Sequence, residues 1–201
     1  TAHQLGTPLS SLMAWTDYLK ANGTDESIVT EMNRDVMRLH MITERFSKIG
    51  SQPTLQDEDI CEKIKNAIDY LKQRTSKNVN YIVDIPNTEI HTQLSAPLFE
   101  WVIENLCKNA VDAMDGKGEL KITVTDIPEG VIIDLADTGK GIPKSKHKAV
   151  FKPGFSTKKR GWGLGLSLCK RIIENYHNGK IIVLHSEENK GTTFRITLNR
   201  G

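Results

Sequence analysis

The sequence is short of excess charge. Its 27 lysines and arginines against 25 aspartates and glutamates leave a formal +2, so no global field draws it to nucleic acid or to an anionic membrane. Any basic site must be local. Cysteine is scarce as well: Cys61, Cys107 and Cys169 are odd in number, scattered and without metal-ligand spacing. That argues against a disulfide framework and for reduced thiols in a cytosol-like compartment. No apolar run approaches the roughly 20 residues of a membrane-spanning helix, and no signal-peptide pattern opens the chain. A helix-capping signal is missing too. The chain starts at Thr1, yet the apolar pattern of its first helix is already running by Leu5, as expected of a fragment cut inside a helix. What is present, 38% apolar and 26% charged residues over 201 positions, suits one large folded domain or two small ones.

Leu5, Leu9, Leu12, Thr16 and Leu19 recur at alternating steps of four and three, the seam of a helix packed along another helix. Asn22 and Gly23 end it, and Thr24 caps the next, with Asp25 and Glu26 favourable to the new helix dipole. Ile28, Met32, Asp35, Leu39, Ile42, Phe46 and Ile49 repeat the same spacing, with Val29 and Val36 widening the stripe. This predicts a helical hairpin over residues 1–52. Such a hairpin buries too little surface to stand alone, so two copies are expected to pair into a four-helix bundle. Packing on the rest of the same chain is the alternative.

Gly50, Ser51 and Pro53 break the pattern, and a second domain, 53–201, begins there. Its spacing predicts helices over 57–74 and 97–114 and strands over 79–85, 119–125, 131–136, 180–185 and 192–198. Helices alternating with a largely antiparallel meander give an α/β sandwich on a mixed sheet. The fold class of the whole chain is therefore α+β.

Three clusters in this domain carry chemistry. ENLCKNAVDAM sets Asn105, Asn109 and Asp112 on one face of a helix. DTGKGIP brings Asp137 off a strand end into a turn that Gly139 and Gly141 permit. GWGLGLSLCKRIIENY puts Gly161, Gly163 and Gly165 before an amphipathic helix whose free amides suit phosphate, just after the basic run Lys158, Lys159, Arg160. Singly, each has a plain structural explanation: a surface stripe, an ordinary turn, a glycine-rich connection.

Together, in this order and spacing, they resemble the ATP-binding domain shared by sensor histidine kinases, DNA gyrase, the Hsp90 chaperone and MutL, over roughly residues 55–200. The resemblance implies an ATP site in which Asp137 accepts a hydrogen bond from the exocyclic amine of adenine and rejects guanine, whose oxygen there is an acceptor. It implies Mg²⁺ held on the neutral oxygen of Asn109. Ile142, Leu164 and Leu166 flank the glycines and belong to the same nucleotide-binding set. Residues 143–162 would form a lid with Phe151 and Phe155 as apolar latches and Lys158 or Lys159 near the terminal phosphate. Trp162 is assigned to lid packing. GTTF at 191–194 falls on the family's last nucleotide-site strand, which brings in Thr193.

One turn before Asn109, the gyrase and Hsp90 branch has a glutamate that activates water. This chain has Asn105, which cannot take a proton, and Glu104 is turned about 100° away. A nucleophile other than water is wanted. HQLGTPLSSL resembles the phosphoacceptor box of sensor histidine kinases, which implies that His3 receives the γ-phosphate and passes it to an aspartate of a response regulator. Off the leucine seam, an exposed and mostly neutral imidazole suits that role. Pro8 would bend the helix just beyond it. Gln4 stands where the family usually has a carboxylate, and an amide orients the ring without accepting its proton. Thr7 would position a water against an aspartyl phosphate, the family's phosphatase activity. His40, His91, His147, His177 and His185 read as surface histidines. The expectation is thus an ATP-dependent histidine kinase core, a homodimer with a response-regulator partner. It would touch neither nucleic acid nor membrane and form the cytoplasmic part of a sensor, whether free or membrane-anchored. The rival expectations are a gyrase- or Hsp90-type ATPase and a catalytically weak nucleotide-binding module.

Overall fold

The computed structural model describes residues 2–23, 25–30, 32–33, 36, 53–157 and 163–200. The chain divides into two compact units, Thr1–Pro53 and Thr54–Gly201.

In the first unit α1 runs Ala2–Ala21 as one helix. Pro8 removes an amide without interrupting it. The Asn22 side chain donates to Tyr18 O at 2.8 Å, and Gly23 turns the chain at φ +75°. Asp25 caps the following helical turn, residues 26–30, its Oδ1 accepting from the Ser27 amide at 2.8 Å. The capping role expected of Thr24 lies outside the described residues, as do Leu39, Ile42, Phe46 and Ile49. Thr16, Val29 and Val36 are buried, whereas Leu12, Trp15, Tyr18, Ile28 and Met32 are exposed. Among the described residues of the second helix, the buried positions are thus Val29 and Val36, which widen the predicted stripe, and not Ile28 and Met32 of its seam.

The second unit opens with β1, Gln56–Asp59, then α2, Ile60–Lys72, and β2, Val79–Asp84. β3, His91–Leu94, pairs antiparallel with β1, and α3 follows over Ala96–Ala113. β4, Gly118–Ile127, and β5, Gly130–Asp137, form a hairpin. α4, Gly165–Arg171, continues into a π-helical turn, Ile172–Tyr176. β6, Lys180–Glu187, and β7, Gly191–Asn199, close the chain. The main sheet has the order β2-β4-β5-β7-β6, with β2 parallel to β4 and the other pairs antiparallel. This is the mixed-sheet α+β fold expected.

Alternation assigns the two faces of the sheet. Val131, Ile133 and Leu135 of β5 and Phe194, Ile196 and Leu198 of β7 are buried, and the residues between them are half-exposed. Ile60, Ile64, Ile68 and Leu71 of α2 and Phe99, Ile103 and Leu106 of α3, at helical spacing, are fully buried with them. On the open face Arg195 makes a bidentate pair with Asp134 at 2.8 and 2.7 Å. Asp59 caps α2 by accepting from Cys61 N at 3.0 Å and also from Ile90 N at 3.1 Å, tying the small sheet to the helix.

Candidate functional site

Asp137 is the next inward position of β5 after Leu135, and the strand carries its carboxyl group into the helix-covered layer at 7% exposure. Its Oδ1 accepts from the Gly139 amide at 2.8 Å. Burial pushes its pKa above the ordinary aspartate value, and the amides of Gly139 and Thr192 pull the other way. The turn after it has no room for side chains. A Cβ on Gly139 would lie 2.7 Å from the Ala113 carbonyl, and Lys140 N donates to that oxygen at 2.9 Å. The turn is thereby fixed to the C-terminal end of α3. Gly141 sits at φ +69°, where a Cβ would come within 1.9 Å of Glu187 O. Ile142, half-buried, donates its amide to Ser186 Oγ at 2.7 Å.

On α3, Asn105 and Asn109 are half-buried and Asp112 is exposed. Asn105 Nδ2 donates to Cys169 Sγ at 3.2 Å, and a Cβ on Gly165 would stand 2.7 Å from Asn105 Oδ1. Any larger residue at the start of α4 would have to displace this carboxamide. Cys169 is fully buried and its thiol pKa is pushed up to about 12, so it stays neutral. Leu164 O accepts from Leu168 N at 3.0 Å and from Ser167 Oγ at 2.9 Å, and Leu164 and Leu166 are half-buried beside the glycines. Glu104, adjacent to Asn105, pairs with Lys108 at 3.1 Å instead.

Between these parts, 3-10 turns at Lys144–Lys146 and Ala149–Phe151 lead to Phe151, whose ring is buried edge-on against Phe194 at 6.1 Å. The Lys170 ammonium lies 5.7 Å from the Phe151 ring centre. Phe155 is half-buried. Gly154 N donates to Gly163 O at 3.0 Å, and Gly163 has φ +65° with only 2.4 Å between a Cβ and Gly154 C. Gly154, within the predicted lid of 143–162, is thus joined to Gly163 just past its end, and this glycine neck closes off residues 155–162. Lys158, Lys159, Gly161 and Trp162 lie outside the described residues.

Residues 95–201 match the family model described as histidine kinase-, DNA gyrase B- and HSP90-like ATPase. The chain belongs to this ATPase family. The sensor histidine kinase ZraS of Escherichia coli is 30% identical over 98% of this chain and 43% of its own length. Sporulation kinase E of Bacillus subtilis is 30% identical over 98% of this chain and 27% of its own. The chain thus spans less than half the length of these curated relatives. Among solved structures, the catalytic domain of histidine kinase ThkA superposes with TM-score 0.66 at 29% identity, over 73% of this chain and 95% of that one. ThkA in complex with its response regulator TrrA superposes with TM-score 0.70 at 23% identity, over 100% of this chain and 60% of that one.

In this ATPase unit the fold brings together Asp137, Gly139 and Gly141 with the end of α3, and Asn105 with Gly165. His3, Gln4 and Thr7 fall on the first turns of α1, in the other unit, and their side chains lie outside the described part of the structure. Thr193 occupies an outward position of β7. Thr192 is the threonine directly opposite Asp137, buried on the same face, with its hydroxyl 2.9 Å from Ser186 Oγ. Strand alternation phased from Phe194 would have selected Thr192, since residues two apart share a face. His177 is not a surface histidine. It is buried, accepts from Ser95 N on Nε2 at 3.0 Å, and has Nδ1 2.9 Å from Ile172 O. It thereby caps α3, whose Ser95 makes no side-chain cap of its own. Among the described residues no group of three His, Cys, Asp or Glu could hold a metal, and no helix is long and apolar enough to cross a membrane.

Proposed function

We propose that this chain is the catalytic core of a two-component sensor histidine kinase, which phosphorylates His3 from ATP and passes the phosphoryl group to an aspartate of a response regulator. The observation that carries this reading is coverage. Relatives named as kinases align with 98% of the chain, the α1 unit with its HQLGTP box as well as the ATPase unit. The regulator partner is supported by the complex in which ThkA was solved.

Asp137 would accept from the amine of adenine. Asn109 fits Mg²⁺ by donor chemistry: a neutral side-chain oxygen suits an ion that takes its other ligands from phosphates and water. When bound, the ion neutralises charge on the phosphates. Asn105 offers no base to a water molecule, and Glu104 is held by Lys108. A lone pair on a His3 ring nitrogen forms the new N–P bond, the bond from phosphorus to the bridging oxygen breaks, and ADP leaves with that electron pair. Gln4 orients the ring, and the ring proton passes to solvent. The second transfer moves the phosphoryl group onto a carboxylate of the regulator. Thr7 would serve a separate hydrolysis, positioning a water that attacks the regulator's aspartyl phosphate and releases inorganic phosphate. The glycine neck would hold the lid that brings Lys158 and Lys159 to the γ-phosphate.

The exposed Leu12, Trp15, Tyr18, Ile28 and Met32 support pairing with a second copy of the hairpin. Buried free thiols at Cys61, Cys107 and Cys169 are consistent with a reducing cytoplasm, where ATP is also found. Incubation with γ-labelled ATP tests the reading: acid-labile, base-stable label is expected on the chain and is absent from His3→Ala. Steady phosphate release in excess of labelling would instead identify a gyrase-type ATPase.

A further inference from the structure

The β6–β7 hairpin contains an irregularity that bears on base recognition. Lys180, Ile181, Ile182 and Val183 pair with Thr197, Ile196, Arg195 and Phe194 in unbroken register, but His185 then faces Thr193 and Ser186 faces Thr192. Leu184 is the extra residue of a β-bulge and is 43% exposed. Continued without the bulge, the register would set His185 opposite Thr192. The bulge replaces a bulky imidazole with a small hydroxyl on the face that holds Asp137.

That hydroxyl has three partners and one hydrogen. Ile142 N–H donates to Ser186 Oγ at 2.7 Å, so the serine accepts there. Gly191 O lies 3.0 Å away and is an acceptor, so the serine's only proton goes to it. The third contact, Thr192 Oγ1 at 2.9 Å, can then be made only with the threonine as donor. The Thr192 hydrogen is committed to Ser186, and its oxygen offers lone pairs alone. Thr192 is buried in direct register with Asp137 on the same face.

We propose that Ser186 is a positioning residue for base selection: by holding the Thr192 proton it fixes that hydroxyl as an acceptor beside the Asp137 carboxylate, so that the pair together select a base carrying an amino group and reject one carrying a carbonyl. The proposal rests on the reading of Asp137 as the base-binding group. Loss of Ser186 frees the Thr192 hydroxyl to turn and donate, which a carbonyl oxygen accepts. The penalty against guanine then shrinks while adenine loses an acceptor.

The test is calorimetric titration of the whole chain with ATP, GTP and purine riboside triphosphate, which has neither amine nor carbonyl at the six position. In Ser186→Ala the ATP:GTP affinity ratio should fall roughly tenfold, the effect of one hydrogen bond reversed in polarity. Relative to purine riboside triphosphate, ATP should weaken and GTP strengthen. A purely structural serine would lower all three affinities in parallel, and that result overturns the proposal. Should Ser186→Ala fail to fold, Thr192→Val decides: an unchanged ratio in that folded variant overturns it equally. Asp137→Asn separates the two levels. If its ratio falls while that of Ser186→Ala does not, only the role of Ser186 is lost; if Asp137→Asn leaves the ratio unchanged, the base-binding reading itself fails and the proposal with it.

Discussion

His177 should make the fold sensitive to mild acid in one direction only. Ser95 N–H donates to Nε2, so that nitrogen bears a lone pair, and Nδ1 must carry the proton it gives to Ile172 O. Protonation of Nε2 would set one N–H against another. Burial disfavours the charged ring and holds the folded pKa below the ordinary histidine value, against the upward pull of the hydrogen bond to Ile172 O. With the folded value depressed, the contribution is complete above the unfolded pKa of about 6.5 and is lost as pH falls below it. If the folded ring does not titrate, the loss between pH 7.5 and 5.5 is about 1.4 kcal/mol, the work of one proton taken up only on unfolding. Urea unfolding of wild type and His177→Gln across this range isolates the effect, because the amide neither titrates nor lacks a donor and an acceptor. Carboxylates and His91 act equally on both proteins and cancel. A wild-type minus variant difference that stays flat with pH would refute the assignment. At pH 7.5, His177→Ala should cost about 2–5 kcal/mol, since it leaves two buried backbone groups unpaired and a cavity behind.

Asp137→Asn should abolish the preference for ATP yet raise the melting temperature of nucleotide-free protein, because burial makes the ionised carboxyl costly above its raised folded pKa. Thermal melts at neutral pH check this, and a lower melting temperature contradicts it. Gly163→Ala must place a side chain at φ +65° and 2.4 Å from Gly154 C, at a cost of about 1–3 kcal/mol; nucleotide affinity should drop while far-ultraviolet circular dichroism stays unchanged. Gln4→Glu supplies a proton acceptor beside His3 and should speed single-turnover labelling without altering ATP affinity; an unchanged rate removes the idea.

Much of this architecture was legible because it follows from period alone. The predicted strand at 131–136 and helix at 97–114 appear at Gly130–Asp137 and Ala96–Ala113, since long alternation and a wide helical stripe leave one burial solution each. The short β1 was not legible. Asp57 and Glu58 look like acidic residues in a first helical turn, and the strand exists only through its pairing with β3, a distant contact. Thr192 and Thr193 are identical in chemistry, so only the phase of β7 separates them. Ser186 could not be placed at all, because a bulge shifts register without a mark in composition. His177 stands next to Asn178 and Gly179, a context that reads as surface, and its burial comes from Ser95, 82 positions away in the chain.

The bond from Gly154 to Gly163 makes residues 155–162 a closed excursion whose stem is set by backbone rather than by what lies between. Closing entropy grows only slowly with contour length, about 0.6 kcal/mol per doubling. A change of length in this stretch should therefore leave Phe151 on one side and the start of α4 on the other in their seats, whereas a change of its charge would act on the two lysines proposed to reach the γ-phosphate.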